Sequence, residues 1–252
     1  MLSKRIIPCL LIKDGGLVKT NNFKQPKYIG DPINAVKIFS EKEADEIIIL
    51  DIGATKKKEI NFKLLSNIFS ESFVPITYGG GINTIETAKK IINLGVEKIC
   101  IQSIFFKNKS LIKEMVNYFG GQSIVVSIDV KKNIFGNYKI WNYLTNEFNK
   151  KENLEECINY ALNLGVGEII ITDVDNEGTL KGTNKNLIKK ICNNIDVPLI
   201  FNGGTKNLED IKSTLKYNIQ ALAVGSFFIF YGKHRAVLIT YPSSELKNLI
   251  NE

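Results

Sequence analysis

The chain repeats itself at half its length. The run Pro75-Ile76-Thr77-Tyr78-Gly79-Gly80-Gly81 returns as Pro198-Leu199-Ile200-Phe201-Asn202-Gly203-Gly204, and the same offset carries Ser103 onto Ser226. Glu46-Ile47-Ile48-Ile49-Leu50-Asp51 likewise returns as Glu168-Ile169-Ile170-Ile171-Thr172-Asp173. Self-similarity at a long period means two equivalent structural units. Within and between them, short β-branched runs alternate with stretches of helical spacing. Strands are predicted at Arg5–Leu11, Glu46–Ile52, Val74–Tyr78, Lys98–Gln102, Ser123–Asp129, Glu168–Asp173, Val197–Asn202 and Gln220–Gly225. Helices are predicted at Pro32–Glu43, Phe62–Glu71, Ile85–Leu94, Ser110–Phe119, Leu154–Leu164, Lys185–Asn194 and Leu208–Tyr217. Near-continuous apolar strands separated by amphipathic helices predict a parallel sheet covered by helices. An open doubly wound sheet has no reason for the twofold repeat. A closed (β/α)8 barrel of two half-barrels, about residues 1–121 and 122–252 of one domain, predicts it. The 252 residues suit such a barrel, which takes ~250.

The segment Val130–Thr145 breaks the rhythm with alternating residues around Gly136-Asn137, and predicts a β-hairpin after the fifth strand: an active-site flap or a rim decoration. Cys9, Cys100, Cys157 and Cys192 show no C-x-x-C spacing. That argues against a disulfide framework or zinc site and fits a reducing compartment. No metal or cofactor is expected. There is no apolar run of the ~18 residues a membrane span needs and no secretory signal at the start, so a cytoplasmic location is expected. The net charge of +7 is spread along helices without Lys/Arg blocks interleaved with aromatics, which leaves nucleic-acid binding without support.

Each half carries a Gly-Gly pair after its third strand and a Ser after its fourth. Glycine allows close backbone approach, so successive N–H groups can face an anion. Gly203, Gly204, Gly225 and Ser226, with Gly178 and Thr179 from the loop after the sixth strand, form one candidate phosphate corner; Gly80, Gly81, Gln102 and Ser103 form the other. A turn would explain one pair. Two pairs in register point to a bisphosphate ligand. Asp129 closes the fifth strand, where barrels place catalytic groups, and Asp51 and Asp173 close two others, as acids or as loop caps. Aligning the halves sets Leu11 opposite Asp129, where a two-carboxylate mechanism wants an acid.

Taken together, these residues resemble the cyclase subunit (HisF-type) of imidazole glycerol phosphate synthase in histidine biosynthesis. The likeness spans nearly all of residues 1–230: Lys4-Arg5-Ile6-Ile7-Pro8-Cys9-Leu10, Gly30-Asp31-Pro32, Asp45-Glu46, Gly79-Gly80-Gly81-Ile82, Asp129, Gly165-Val166-Gly167-Glu168-Ile169, Gly178-Thr179 and Gly203-Gly204. The resemblance implies a HisH-type glutaminase partner on the N-terminal face and passage of its ammonia through a charged ring into the barrel. The matching ring positions are Arg5, Glu46, Lys98 and Glu168. It implies two catalytic aspartates, of which Asp129 matches one while Leu11 replaces the other. Gln102 stands where the family usually has Asn, Glu177 replaces the usual Asp before Gly178, and the tail Tyr231–Pro242 is unlike the family's.

The Leu11 change and the tail are similar to a divergent branch found with surface-polysaccharide and flagellar-sugar genes. That branch is associated with a glutaminase and an ATP-dependent amidotransferase converting an acetamido to an acetamidino sugar. Three readings follow: a barrel conducting ammonia for sugar amidation, a working cyclase with a relocated acid, and a scaffold for the glutaminase. His234, in the tail, is read as a packing or surface residue in preference to a base.

Overall fold

The computed structural model describes residues 4–192 and 195–251. Eight parallel strands form its centre: β1 (Arg5–Lys13), β2 (Ile47–Asp51), β3 (Ile76–Gly79), β4 (Lys98–Ile101), β5 (Ile124–Lys132), β6 (Glu168–Asp173), β7 (Leu199–Asn202) and β8 (Ala221–Val224). Each pairs in parallel with the next, and β8 pairs with β1, so the sheet closes on itself. Eight principal helices follow the strands among the described residues: α1 (Pro32–Glu41), α2 (Phe62–Phe69), α3 (Ile85–Ile92), α4 (Lys109–Phe119), α5 (Leu154–Leu164), α6 (Lys185–Ile191), α7 (Leu208–Leu215) and α8 (Ser243–Asn251), with an additional one-turn helix, Ala54–Lys57, in the loop after β2. This is the expected (β/α)8 barrel. The predicted elements are present, and the helix predicted over Lys185–Asn194 runs to Ile191, its last two residues lying outside the described ones. No helix among the described residues is long and apolar enough to cross a membrane.

The helices start where side chains satisfy their first N–H groups. Asp31, Asn61, Thr84, Asn108, Asn153, Asn184 and Asn207 each accept from a backbone amide in the first turn of α1 to α7. Each such cap contributes ~1 kcal/mol, and five of the seven are asparagines. The main apolar core fills the space between strands and helices.

A second, separate cluster fills the barrel's axis: Ile7, Cys9, Ile48, Cys100, Val125, Ile170, Ile200, Ala221 and Ala223. These positions alternate along their strands with those of the main core, as the two-residue period of a strand requires. Cys9 and Cys100 are buried thiols here.

Two rim structures matter for the site. The predicted hairpin is present: β5 runs on to Lys132 and pairs with Tyr138–Asn142, whose Trp141 faces Phe148 of a further short strand. A second hairpin, Gly16–Asn21 with Lys24–Gly30, follows β1 and was not anticipated. Its turn uses Asn22 and Phe23 at φ 52° and 62° without a glycine, and its second strand is largely exposed. It therefore shows neither a turn signal nor an apolar alternation.

Candidate functional site

The C-terminal ends of the strands surround a cavity of about 1170 Å³. Successive inward positions on β1 are Arg5, Ile7, Cys9 and Leu11; on β5 they are Val125, Ser127 and Asp129. Cys9, Leu11, Leu50, Cys100, Gln102, Ser127, Asp129, Asn202 and Ala223 line the cavity. Leu11 and Asp129 thus share the mouth, as the half-barrel alignment implied. Asp129 is 4% exposed, and Gln102 Nε2 donates to its Oδ2. Burial pushes the Asp129 carboxyl up to about 7, against the Gln102 hydrogen bond and with help from the charge of Glu177. A carboxyl titrating there can take or give a proton near neutral pH.

The two glycine corners meet in this cavity. Gly80, Gly81, Gln102 and Ser103 line one side, and Gly178, Gly203, Gly204, Gly225 and Ser226 the other. Thr179 is not among the lining residues; its hydroxyl donates to Asn176 O at 2.9 Å. The first glycine of each pair answers to backbone packing. A Cβ on Gly80, at φ +133°, would lie 2.5 Å from Asp51 O, and one on Gly203, at φ +116°, would lie 2.7 Å from Asp173 O. The corners are not equivalent. Gly81 N already donates to Thr55 Oγ1 at 3.1 Å. The hydroxyls of Thr205 and Ser226, by contrast, are buried without a hydrogen-bond partner in the protein, an arrangement that favours an added acceptor or donor at that corner.

At the opposite end of the barrel axis the four matched charges close into a ring. Arg5 reaches Glu46 at 2.5 Å and Glu168 at 2.8 Å, while Lys98 reaches the same two carboxylates at 2.9 and 3.3 Å. Thr77 Oγ1 also donates to Glu46 at 2.5 Å. Glu46, Lys98 and Glu168 are buried and Arg5 is half-buried, so the ring is largely desolvated and not a set of solvated strand ends. Along β1, β2 and β6 a single inward apolar residue, Ile7, Ile48 or Ile170, separates this level from the level of Cys9, Leu50 and Thr172 in the cavity.

Residues 5–235 match the histidine biosynthesis protein family over most of the chain. A Pseudomonas aeruginosa protein provisionally named imidazole glycerol phosphate synthase subunit hisF2 is 45% identical over 246 residues, covering 96% of this chain and 97% of its own. The chain belongs to the HisF-type imidazole glycerol phosphate synthase subunit family. A similarly provisional HisF subunit of Leptospira borgpetersenii is 42% identical over 254 residues, covering 99% of each chain. The imidazole glycerol phosphate synthase subunit HisF of Clostridium beijerinckii is 37% identical over 236 residues, covering 92% of each.

In this HisF-type barrel the other strand-end acids act on loops. Asp51 Oδ1 accepts from Gly53 N and Ala54 N at 3.0 and 2.9 Å. Asp173 accepts from Asp175 N and from the side-chain amides of Asn176 and Asn184. The unanticipated hairpin brings Lys19 into the mouth: its Nζ donates to Cys9 O at 2.7 Å, and a Cβ on Gly225 would come within 2.5 Å of it. Burial draws the Lys19 ammonium below its ordinary pKa, while Cys9 and Glu177 pull it back. Lys19 comes eight positions after Leu11, and only the unseen antiparallel return of the chain reveals that it shares the same cavity. Glu177 fastens the hairpin over the mouth, accepting from Thr20 Oγ1 at 2.9 Å and Phe23 N at 3.1 Å. The tail forms a small hairpin, Phe230–Tyr231 with Ala236–Val237, and Arg235 Nη2 donates to Gly178 O at 2.8 Å. His234 is exposed at its turn and does not line the cavity. Among the described residues no group of three or more His, Cys, Asp or Glu converges as a metal site.

Proposed function

We propose that the chain is the ammonia-conducting barrel of a glutamine-dependent amidotransferase system. A HisH-type glutaminase delivers ammonia at the Arg5–Glu46–Lys98–Glu168 ring, and the axial lumen carries it to the mouth. There it serves an ATP-dependent amidotransferase that converts an acetamido to an acetamidino sugar for a surface polysaccharide or flagellar glycan. The observation that carries this reading is the combination of a complete charged ring with Leu11 in the mouth where a second carboxylate is needed. Loss of one member of an acid/base pair typically costs ~10²–10⁴-fold in rate. Apolar Leu11 leaves transit of ammonia untouched and removes half of a two-acid mechanism.

A second reading is the cyclase of histidine biosynthesis, converting ammonia and a phosphoribulosyl substrate to imidazole glycerol phosphate and aminoimidazole carboxamide ribotide. The Asp129 carboxyl at about 7 and the orphaned hydroxyls of Thr205 and Ser226 favour it, because they suit a proton transfer beside a phosphate held by Gly178, Gly203, Gly204, Gly225 and Ser226, with Gly80, Gly81, Gln102 and Ser103 holding the other.

Cyclase activity on the ribulosyl bisphosphate substrate with excess ammonium salt separates the two, since ammonium bypasses the glutaminase. No turnover by the wild type, with partial activity in Leu11→Asp, is expected. Robust imidazole formation by the wild type overturns the delivery reading.

A further inference from the structure

The mouth face carries apolar side chains that neither the core nor the cavity uses. At the tip of the flap, Ile134 and Phe135 are 94% and 81% exposed, and neither lines the cavity. The turn presenting them is pre-formed. Asn133 Oδ1 accepts from Phe135 N at 3.0 Å and Asn137 N at 2.9 Å, and Gly136 N donates to Asn133 O at 3.0 Å. Val237 and Leu238 stand exposed on the tail hairpin. Both structures are tied to the loop after β6: Lys132 N donates to Asp175 Oδ2 at 2.8 Å, and Arg235 Nη2 to Gly178 O at 2.8 Å. Flap, loop and tail therefore form one braced surface around one side of the mouth. Exposed apolar side chains held on ordered turns mark a contact surface whose ordering cost is already met.

The charge of this surface narrows the occupant. Segments 130–142, 178–183 and 229–240 contain no Asp or Glu, and Lys132, Lys139, Lys181 and Lys233 are exposed on them. Of the neighbouring acids, Asp175 accepts from Lys132 N and Glu147 is exposed beside Asn142, so lysines outnumber acids on this face. A second copy would set lysines against lysines, which opposes association. A small ligand would enter the cavity and leave Ile134 and Phe135 in water. We infer that this face docks an acidic protein, namely the ATP-dependent enzyme that consumes the ammonia, holding its active site over the mouth. The inference rests on the delivery reading above and adds the surface that makes delivery direct.

The test uses the barrel–glutaminase complex and the purified ATP-dependent amidotransferase, with binding followed by sedimentation velocity and amidation by product formation. Ile134→Glu/Phe135→Glu and, separately, Leu238→Glu alter exposed positions, and unchanged melting curves establish that they fold. Binding is expected to weaken at least about tenfold (~1.4 kcal/mol) and to fall with added salt. Glutamine-driven amidation should drop with it, while amidation driven by ammonium salt stays at the wild-type rate. Wild-type affinity in both variants, or no binding by the wild type, overturns the proposal. Self-association of the wild type that the variants abolish overturns it too, by giving the face to a second copy. Binding that the variants abolish, with no glutamine-driven amidation even by the wild type, supports the docking face and overturns delivery through the barrel.

Discussion

Replacing Lys98 by methionine tests whether the charged ring is as desolvated as its geometry describes. Lys98 is 8% exposed, and its ammonium sits 2.9 Å from Glu46 and 3.3 Å from Glu168. At an effective dielectric of ~20, each pair at such a distance is worth ~5 kcal/mol before desolvation is counted. Desolvating the ions offsets much of this, and removing one partner of a buried pair typically costs ~3–5 kcal/mol because a charge is left uncompensated. Arg5 still faces both glutamates in the variant, so the lower end of that range, ~3 kcal/mol, is expected. A domain stable by ~5–15 kcal/mol survives such a loss.

Urea unfolding at neutral pH measures it. The double variant Lys98→Met/Glu168→Gln removes the stranded charge together with the cation and should recover ~1–2 kcal/mol relative to the sum of the single changes. In the same proteins, glutamine-driven ammonia transfer should be impaired while the barrel remains folded, and Glu168→Ala should behave likewise. A cost below ~1 kcal/mol with no coupling would be the behaviour of exposed pairs, and would refute the argument that the ring is dry. Undiminished glutamine-driven turnover in every variant would refute its role as a gate.

Three further outcomes follow from the mouth. Asp129 titrates at about 7 in the folded chain against 3.8 for the free side chain, so between those pH values the folded state holds a proton that the unfolded state lacks, and stability falls as pH rises through the window by up to roughly 4 kcal/mol. Asp129→Asn should therefore gain more melting temperature over the wild type at pH 8 than at pH 5, and should leave glutamine-driven amidation largely intact; a gain independent of pH refutes the shift, and lost amidation would show that the mouth performs chemistry. Glu177→Ala strips Thr20 Oγ1 and Phe23 N of their acceptor, at ~1–2 kcal/mol of local stability; amide exchange at Phe23 should quicken about tenfold, and an unchanged rate would mean that Glu177 does not fasten the hairpin. Gly203→Ala puts a Cβ 2.7 Å from Asp173 O at φ +116° and should cost about 2–3 kcal/mol in urea unfolding, whereas a loss under ~0.5 kcal/mol would return Gly203 to a purely ligand-binding role.

The strands were legible because a buried parallel strand writes itself as a β-branched run, and the repeat then placed Leu11 opposite Asp129 without any structure. What lay beyond reach was tertiary. Arg5 and Glu168 are distant in sequence, and their 2.8 Å contact exists only because β6 and β1 face each other across a closed barrel. The hairpin after β1 was unreadable because its turn stores left-handed backbone at Asn22 and Phe23, a conformation usually signalled by glycine. Lys19 was hidden with it. The Gly-Gly pairs were read as anion corners, yet Gly80 and Gly203 each pack against the carbonyl of the acid ending the preceding strand. That contact recurs in both halves, so part of the glycine signal belongs to the half-barrel repeat itself and only the rest to a ligand. Asp51 and Asp173, alike in sequence to Asp129, are held by loop amides; hydrogen-bonding partners, invisible in the chain, separate the three.

On the delivery reading, the ring and the apolar axis together dictate which form of the cargo crosses. Two basic and two acidic groups leave the ring with no net charge, so it neither attracts nor repels an ion as a whole. Above it, the axis is lined by Ile7, Ile48, Val125, Ile170, Ile200 and Ala221. An ammonium ion entering that layer would give up its hydration without a counter-charge, at several kcal/mol, whereas neutral ammonia gives up far less. Under that reading the apolar axis selects the neutral, nucleophilic form, which has to stay unprotonated until it is used. An acid at position 11, facing the conduit's exit beside Asp129, is an asset when the mouth closes a ring by proton transfer. It is a hazard when ammonia has only to leave, because protonation at the exit would trap the cargo as a cation. Leucine at that position removes one proton source while leaving the ring and the apolar layer intact, and this is why one substitution in the mouth weighs toward delivery over cyclisation.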